Sequence, residues 1–174
     1  FKSGLLAWGQ RHEEVICLDS NGHSDKYGSF DALLAVDGIT SIQTDALNAF
    51  KDLGEYRQKT KDWIFGYLSY DLKNDVEQLT SKNRDGLKFH EIYFFQPKKI
   101  IRINQNKVDF IYLKMVVDET ESDFKAISQG NFQNTKVTIS PTKDVRIKLR
   151  IFKDEYFRQV NSLLQHINRG DIYE

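Results

Sequence analysis

An aromatic and β-branched run occupies residues 62–72, with the sequence DWIFGYLSYDL. Large side chains fill both alternating positions over most of the run, which is typical of a strand that packs on both faces. Gly66 interrupts the run, where a bulge or a close approach of a neighbouring backbone is expected. The pattern therefore predicts a central strand that forms the middle of the core.

Two shorter apolar runs precede this segment, at residues 14–18 and 30–36. The chain between them begins with Asp, Ser, Asn and Gly at residues 19–22. These residue types favour turns, because they bond locally to the backbone or tolerate positive φ. A second turn is predicted at Asp37 and Gly38. We therefore expect two strands, each followed by a turn.

Apolar residues at helical spacing predict three helices, at residues 44–61, 118–129 and 154–169. Thr44 is the predicted N-cap of the first helix, and Gly170 is the predicted left-handed C-cap of the last. The apolar faces are expected to contain Leu47, Phe50, Leu53 and Tyr56 in the first helix and Phe157, Val160, Leu164 and Ile167 in the last.

Three further strands are predicted at residues 92–96, 98–103 and 108–116. The polar, Asn-rich residues 104–107 predict a hairpin turn, which makes the last two strands antiparallel neighbours. Many strands with a few amphipathic helices indicate an α+β fold.

Composition excludes several classes of protein. Lys plus Arg and Asp plus Glu balance at 25 each, so no bulk charge attracts nucleic acid or an anionic membrane. No apolar run is long enough to span a membrane, and no signal-peptide pattern is present. Cys17 is the single cysteine, which excludes an intrachain disulfide and favours a reducing compartment. We therefore expect a cytoplasmic protein.

Few residues suggest chemistry by their spacing alone. Neither a phosphate-binding Gly-Lys-Ser/Thr loop nor a Gly-x-Gly-x-x-Gly motif is present, and the four His residues lack metal-ligand spacing. Cys17 lies within an apolar strand, so we interpret it as a buried structural thiol. Lys98, Lys99 and Arg102 form a small basic cluster that we expect on an outward face or a protected sheet edge.

Four segments, taken in order, resemble one enzyme family. The first is ICLDS at residues 16–20, followed by YGSFD at residues 27–31. The others are GYLSYDL at residues 66–72 and the final GDIYE at residues 170–174. Their order and spacing are similar to those in the N-terminal domain of component I of the chorismate-aminating enzymes, which comprise aminodeoxychorismate (para-aminobenzoate) synthase and anthranilate synthase.

This resemblance implies an α+β fold of mostly antiparallel sheets packed in layers with outer helices. It implies an N-terminal domain at residues 1–150, followed at residues 151–174 by a helix and the start of the chorismate-binding domain. The rest of that domain is expected to be absent. We therefore expect an inactive fragment that self-associates through surface that the other domain would cover.

The N-terminal domain of this family typically carries a pocket for L-tryptophan. Ser20 and backbone groups of its turn could hold the ends of a zwitterion, and Tyr27 and Phe30 could supply aromatic walls. The alternative is that residues 19–22 form only a turn and that Phe30 belongs only to the core. By resemblance, the ligand-binding residues are Asp19, Ser20, Tyr27, Gly28, Ser29, Phe30 and Asp31.

Two positions separate the branches of the family. Anthranilate synthases usually have Glu before the Ser and Lys before the following apolar run, whereas this chain has Asp19 and Asp31 there. The resemblance therefore favours the aminodeoxychorismate branch, without a tight feedback site for tryptophan. An anthranilate synthase with such a feedback site, a stand-alone small-molecule-binding domain and a generic interaction domain remain as alternatives.

The resemblance also implies a cofactor and partners. In the family, the C-terminal domain binds chorismate and Mg²⁺, and a glutamine amidotransferase supplies ammonia. The implied product is 4-amino-4-deoxychorismate, used in para-aminobenzoate and folate synthesis. No catalytic residue and no metal ligand is expected on this chain itself.

Overall fold

The computed structural model describes residues 1–23, 26, 28–77, 79–80, 85–130 and 148–173. The strands are β1 (Val15–Asp19), β2 (Ala32–Thr44), β3 (Phe65–Leu68), β4 (Ile92–Asn104) and β5 (Lys107–Tyr112). The helices are α1 (Lys2–Gly9), α2 (Ala49–Thr60), α3 (Lys73–Val76), α4 (Thr120–Gln129) and α5 (Lys153–Arg169), with 3₁₀ segments at Tyr70–Leu72 and Lys114–Glu119.

The chain divides into two compact units, residues 1–133 and 134–174. The first unit contains a five-stranded antiparallel sheet together with α1 to α4, so the predicted α+β fold is confirmed. The second contains α5. The domain boundary predicted at residue 150 stays a prediction. Among the described residues, no helix is long and apolar enough to cross a membrane.

The centre of the sheet is β4, not the aromatic segment at residues 62–72. One edge of β4 pairs with β2 from Ile92 to Ile103. Its other edge pairs first with β3 and then with β5. The prediction of a central strand at 62–72 is therefore wrong, because β3 is a four-residue strand at the edge of the sheet. The segment at 62–72 is rich in aromatic residues, but it is not buried on both faces, because Trp63 and Leu68 are about half exposed.

The central strand β4 continues through a proline, where two separate strands were predicted. Pro97 lies opposite Gly38 of β2, and the register between the strands shifts between Gly38 and Thr40. Proline has no N–H to donate, so within a sheet it is tolerated where a bulge already interrupts the ladder. The predicted turn at Asp37 and Gly38 is also wrong, because β2 continues through these residues and only its register with β4 shifts there. Asp37 has a positive φ of 63°, but it belongs to an irregularity within the 13-residue strand β2.

Neighbouring residues of β2 point to opposite faces of the sheet and divide the core. On one face, Leu34 and Val36 pack with Leu5 and Trp8 of α1 and with Ile127 of α4. Helix α1 is missing from the sequence-based interpretation, although its Leu5 and Trp8 are buried. The opposite face contains a second cluster, which comprises Leu33, Ala35, Phe65, Phe95 and Ile100.

Helix α2 begins at Ala49, later than predicted. Thr44 is the last residue of β2 rather than a helix cap, and the Asp45 carboxylate accepts the N–H of Leu47 (2.9 Å), which turns the chain before the helix. Leu47 and Phe50 were expected on the buried face, but both are exposed. The first turn of the predicted helix is thus replaced by strand and turn.

Helix α5 agrees closely with its prediction. It spans Lys153–Arg169 and ends at Gly170, whose φ of 85° gives the expected left-handed cap. The N–H of Asp171 returns to the carbonyl of His166 (3.0 Å), as in a Schellman motif. Most of its apolar side chains are exposed, including Phe157, Leu163 and Leu164. The Asn, Thr, Ser and Pro residues between Gly130 and Lys143 predict a connecting loop, and all of this segment except Gly130 lies outside the described residues.

A buried lysine joins the helices to the sheet. Lys99 of β4 is 3% exposed, and its ammonium donates to Glu119 Oε2 and Asp123 Oδ2, both at 2.7 Å. The Nζ atom also lies 5.6 Å from the ring centre of Trp8 and 5.5 Å from that of Tyr112, within the range of cation–π attraction. One side chain therefore connects α1, β4, β5 and α4.

The buried position of Lys99 corrects the interpretation of the basic cluster. Lys98 forms an ion pair with Asp37 (3.1 Å), and Arg102 forms one with Asp109 (2.8 Å). These two residues remain partly exposed, whereas Lys99 points into the core. Alternation along a strand sends neighbouring side chains to opposite faces, so the three residues do not form one basic surface.

The pKa values around Lys99 reflect this environment. Burial alone would lower the pKa of the Lys99 ammonium, but its hydrogen bonds to Asp123 and Glu119 raise the pKa overall. Burial, followed by the charge of Asp123, raises the pKa of the Tyr112 hydroxyl. Burial and the positive charge of Lys99 lower the pKa of His12. Lys99 is therefore a permanent cation that holds its two carboxylates.

Gly66 of β3 is confirmed as a site of close backbone approach. A Cβ atom at this position would lie 1.9 Å from the carbonyl oxygen of Tyr93 and 2.6 Å from Phe94 Cα. Both belong to β4, the strand to which β3 is paired. Any side chain at position 66 would force the two strands apart.

Replacing Asp123 with Ala should lower the free energy of unfolding by about 3 kcal/mol, because it leaves the buried Lys99 charge with one partner. The side chain of Asp123 is 13% exposed, whereas that of Glu119 is 48% exposed. Glu119→Ala is the matched control and should cost less than about 1 kcal/mol. Urea unfolding measures both values, and equal losses would contradict the central role of the Lys99–Asp123 pair.

Replacing Gly66 with Ala should destabilise the protein by about 3 kcal/mol or more, because backbone atoms cannot move away from the new methyl group. Gly54 is the matched control, since a Cβ there has open space in the exposed interior of α2. Gly54→Ala should instead stabilise by about 0.5–1 kcal/mol. Thermal unfolding of the two variants tests the difference, and a stable Gly66→Ala variant would disprove the close approach.

Candidate functional site

Three segments meet at the end of β1. The N–H of Ser20, just after β1, donates to the carbonyl of Asp31, just before β2 (2.9 Å). The N–H of Asp31 donates in turn to the carbonyl of Ile103 in β4 (2.8 Å). These bonds extend the sheet pairing by one residue and place the two predicted binding segments next to each other.

The hairpin between β4 and β5 forms the third wall of this site. Its Gln105 has a positive φ of 52°, which directs its N–H to Asp31 Oδ2 (2.5 Å). The side-chain amide of Asn104 donates to the carbonyl of Ser29 (3.2 Å). Sequence analysis found this hairpin but did not connect it with the site, because the contact spans more than 70 residues of sequence.

The turn after β1 forms as predicted. Asn21 and Gly22 both have positive φ, and the Asp19 carboxylate accepts the N–H of Asn21 (2.7 Å). Asp19 also binds the ammonium of Lys2 (2.5 Å), so α1 is tied to the wall of the site. The Lys2 hydrogen bond and the Asn21 N–H hold the pKa of the Asp19 carboxyl below its usual value. Asp19 is therefore an anion already paired within the protein.

These segments enclose an open pocket of about 850 Å³. Six of the seven predicted ligand-binding residues line it, namely Asp19, Ser20, Gly28, Ser29, Phe30 and Asp31. The seventh, Tyr27, lies outside the described residues. Sequence analysis missed further lining residues, which are Cys17, Leu18, Gly22, His23, Asn104 and Gln105.

Phe30 packs against the core cluster that contains Leu33 and Phe95 and also lines the pocket, and its contact with a ligand stays a prediction. A side chain held by the core on one side presents a fixed apolar wall on the other, which is what an aromatic or apolar ligand needs. The pocket thus combines one rigid apolar wall with two carboxylates, two serine hydroxyls and backbone groups.

Cys17 is exposed, and its interpretation as a buried thiol is wrong. It belongs to β1, which among the described strands pairs with β2 and no other, and it lines the pocket. Partial burial, followed by the negative charge of Asp19, raises the pKa of the thiol. A raised pKa lowers the thiolate fraction at neutral pH, which argues against a nucleophilic role.

The described residues do not fit a magnesium site. Among them, no group of three or more His, Cys, Asp or Glu side chains is placed to hold a metal ion. The pocket carboxylates Asp19 and Asp31 are already bonded to Lys2 and Gln105.

Comparison with known protein families gives one match. The model of the chorismate-binding enzymes matches residues 13–174, which is most of the chain. The chain belongs to the chorismate-binding enzyme family. A comparison with curated proteins gave no match. The family match includes both pocket segments, β4 and α5, and confirms the chorismate-related part of the resemblance.

The thiol of Cys17 offers a direct test of the pocket electrostatics. Asp19→Asn should speed the reaction of Cys17 with a disulfide reagent at pH 7 by on the order of twofold, because removing the negative charge lowers the thiol pKa. Lys2→Gln is the matched control and should slow the reaction, since the Lys2 charge lowers that pKa. Stopped-flow absorbance gives both rates, and changes in the same direction would contradict the assignment.

Proposed function

We propose that this chain is the non-catalytic, ligand-binding and structural part of an enzyme that aminates chorismate to 4-amino-4-deoxychorismate. The family match supports a chorismate-using enzyme. The specific reaction rests on the YGSFD segment at residues 27–31 and on Asp19 and Asp31, where the anthranilate branch usually has Glu and Lys. The product would enter para-aminobenzoate and folate synthesis.

The main structural support for this proposal is the pocket at the end of β1. Residues 19–20 and 28–31, which resemblance assigns to a tryptophan-type pocket, lie around one cavity. They are held there by the backbone bond from Ser20 to Asp31 and by the side-chain bond from Asn104 to Ser29. Such a built concavity with an aromatic wall supports a ligand role over a simple turn.

The ligand we propose for this pocket is an aromatic amino acid such as L-tryptophan, bound weakly. The ring would lie against Phe30, and the ammonium would face the carboxylate of Asp31, because Asp19 is already paired with Lys2. A tight site needs a cation for the ligand carboxylate, and position 31 supplies an anion instead. The N–H groups of Ser20 and Asn21 already donate within the protein. The Ser20 hydroxyl would therefore have to bind the ligand carboxylate, which favours modest affinity.

The complete reaction requires groups that we place outside the described residues. We propose that Mg²⁺ is held by carboxylates of a C-terminal chorismate-binding domain and that a glutamine amidotransferase delivers ammonia. When bound, Mg²⁺ would polarise the substrate as a Lewis acid. We propose a cytoplasmic location, since Cys17 is an exposed free thiol of the kind that a reducing compartment preserves. Without its partner domain, the chain is expected to be inactive and to self-associate.

Two alternatives lead to different results. If the parent protein is an anthranilate synthase, L-tryptophan should bind at micromolar concentration and inhibit the full-length enzyme. If the chain is a stand-alone binding domain, it should bind its ligand without requiring any catalytic partner. The resemblance at residues 27–31 favours the aminodeoxychorismate enzyme over both.

Titration calorimetry with L-tryptophan tests the pocket. We expect a dissociation constant of roughly 1 mM, and Phe30→Ala should weaken it by about tenfold because a stacked aromatic wall contributes about 1 kcal/mol or more. Saturating L-tryptophan should also slow the labelling of Cys17, which lines the same pocket. Glycine is the ligand control and should leave the labelling rate unchanged.

The reaction is tested on the full-length protein that contains this chain. With chorismate, ammonium and Mg²⁺, the expected product is 4-amino-4-deoxychorismate, detected by mass spectrometry. Fluorescent anthranilate as the product would overturn the proposed branch. Micromolar binding of L-tryptophan together with inhibition of the enzyme would do the same.

A further inference from the structure

The residue that follows β4 has a backbone conformation that its side chain does not favour. Gln105 has a φ of 52°, and it is the first of the two residues that turn the chain from β4 into β5. The second, Asn106, does not have a positive φ. A two-residue hairpin turn with positive φ only at its first residue normally has glycine there. Glutamine is therefore a costly choice at position 105.

The backbone of Gln105 does not explain this choice. Its N–H donates to Asp31 Oδ2 (2.5 Å), and a glycine at the same position would make the same bond without steric cost. Positive φ at a residue other than glycine is typical of positions where the strain serves a function. The conformation therefore directs attention to the side chain of Gln105.

The side-chain amide of Gln105 is not engaged within the protein. Gln105 is exposed and lines the pocket at the end of β1. Within the described part of the chain, its amide has no hydrogen-bond partner. The amide of the neighbouring Asn104, in contrast, is bonded to the Ser29 carbonyl (3.2 Å). The Gln105 amide is thus available to a molecule bound in the pocket.

The pocket lacks a cation for a ligand carboxylate. Asp19 and Asp31 are its charged side chains, and none of the described residues that line it is Lys or Arg. Its other polar side chains are those of Ser20, His23, Ser29, Asn104 and Gln105. A carboxylate accepts several hydrogen bonds, whereas a hydroxyl donates one and a glutamine amide donates two. The Gln105 amide therefore supplies donors that the pocket otherwise has in small number.

We propose that Gln105 determines the specificity of this pocket, because its side-chain amide donates hydrogen bonds to the carboxylate of a bound amino acid. This inference rests on the ligand class proposed above, an aromatic amino acid with its ring against Phe30. Asp31 and Gln105 then recognise the two ends of the zwitterion, the carboxylate binding its ammonium and the amide its carboxylate. The bond from the Gln105 N–H to Asp31 holds these two residues together.

L-Tryptophan and tryptamine form the probe pair for this proposal. Both have the indole ring and the ammonium, but only L-tryptophan has a carboxylate. Chemical-shift changes in ¹H–¹⁵N spectra of the whole chain, at up to about 20 mM ligand, give both dissociation constants. A variant that changes the affinity for L-tryptophan but not for tryptamine has lost a contact with the carboxylate.

Gln105→Gly should weaken L-tryptophan binding by about fivefold and leave tryptamine binding unchanged. The same variant should raise the melting temperature by about 2–4 °C, because glycine adopts positive φ without steric cost and keeps the N–H for Asp31. A purely structural residue would not lower the affinity for one ligand of the pair while its replacement stabilised the fold.

Gln105→Glu keeps the length of the side chain but puts a negative charge where the ligand carboxylate would bind. It should weaken L-tryptophan binding by at least about tenfold and should not weaken tryptamine binding. Asn48→Gly is the matched control, since Asn48 also has a positive φ (56°) but does not line the pocket. Both affinities should be unchanged in this control.

The results separate this inference from the proposed function. If Gln105→Gly weakens both ligands equally, or leaves the affinity for L-tryptophan unchanged, the assignment to Gln105 is overturned and the proposed pocket stands. If neither ligand binds the unaltered chain, the proposed ligand class fails and this inference fails with it. A loss that affects L-tryptophan alone supports both.

Discussion

Pairing of β4 with three other strands is the constraint on which the rest of the structure depends. β2 pairs along one edge of β4, while β3 and β5 share the other edge, so every strand except β1 contacts it. Pro97 at its middle is accommodated opposite Gly38, where β2 contains an extra residue. The bulge allows a 13-residue strand to remain continuous despite the missing N–H. Close approach at Gly66 secures the pairing of β3.

Lys99 extends this constraint from the sheet to the helices. Its charge is buried on β4, which would be costly without partners, and Asp123 and Glu119 are positioned to neutralise it. Trp8 of α1 lies over the same ammonium. The buried charge restricts the positions of α1 and α4 on the sheet more than apolar packing alone would. Only positions that keep Asp123 and Trp8 beside the Lys99 ammonium compensate for its burial.

Two pockets lie at opposite ends of β4, a strand roughly 40 Å long. Asn104 and Gln105 at its end contribute to the pocket that includes the family segments. Glu91, just before its first residue, lines a second pocket together with Ser69, Asp71 and Phe89. Both are built from segments that leave or enter strands, where backbone groups no longer paired in the ladder can bond to side chains. The central strand therefore carries residues of both pockets, one at each of its ends.

Local sequence determined the features that depend on neighbouring residues. These include the turn after Asp19, the hairpin at residues 104–107, the α+β class, and α5 with its cap at Gly170, because turn chemistry and helical periodicity act over a few residues. It also identified six of the residues that line the first pocket, through resemblance. Only the tertiary structure decided that β4 is central, that Lys99 is buried and that Cys17 is exposed. Those properties depend on which strands become neighbours, and pairing between residues far apart in sequence, such as Leu34 and Ile101, leaves no trace in local periodicity.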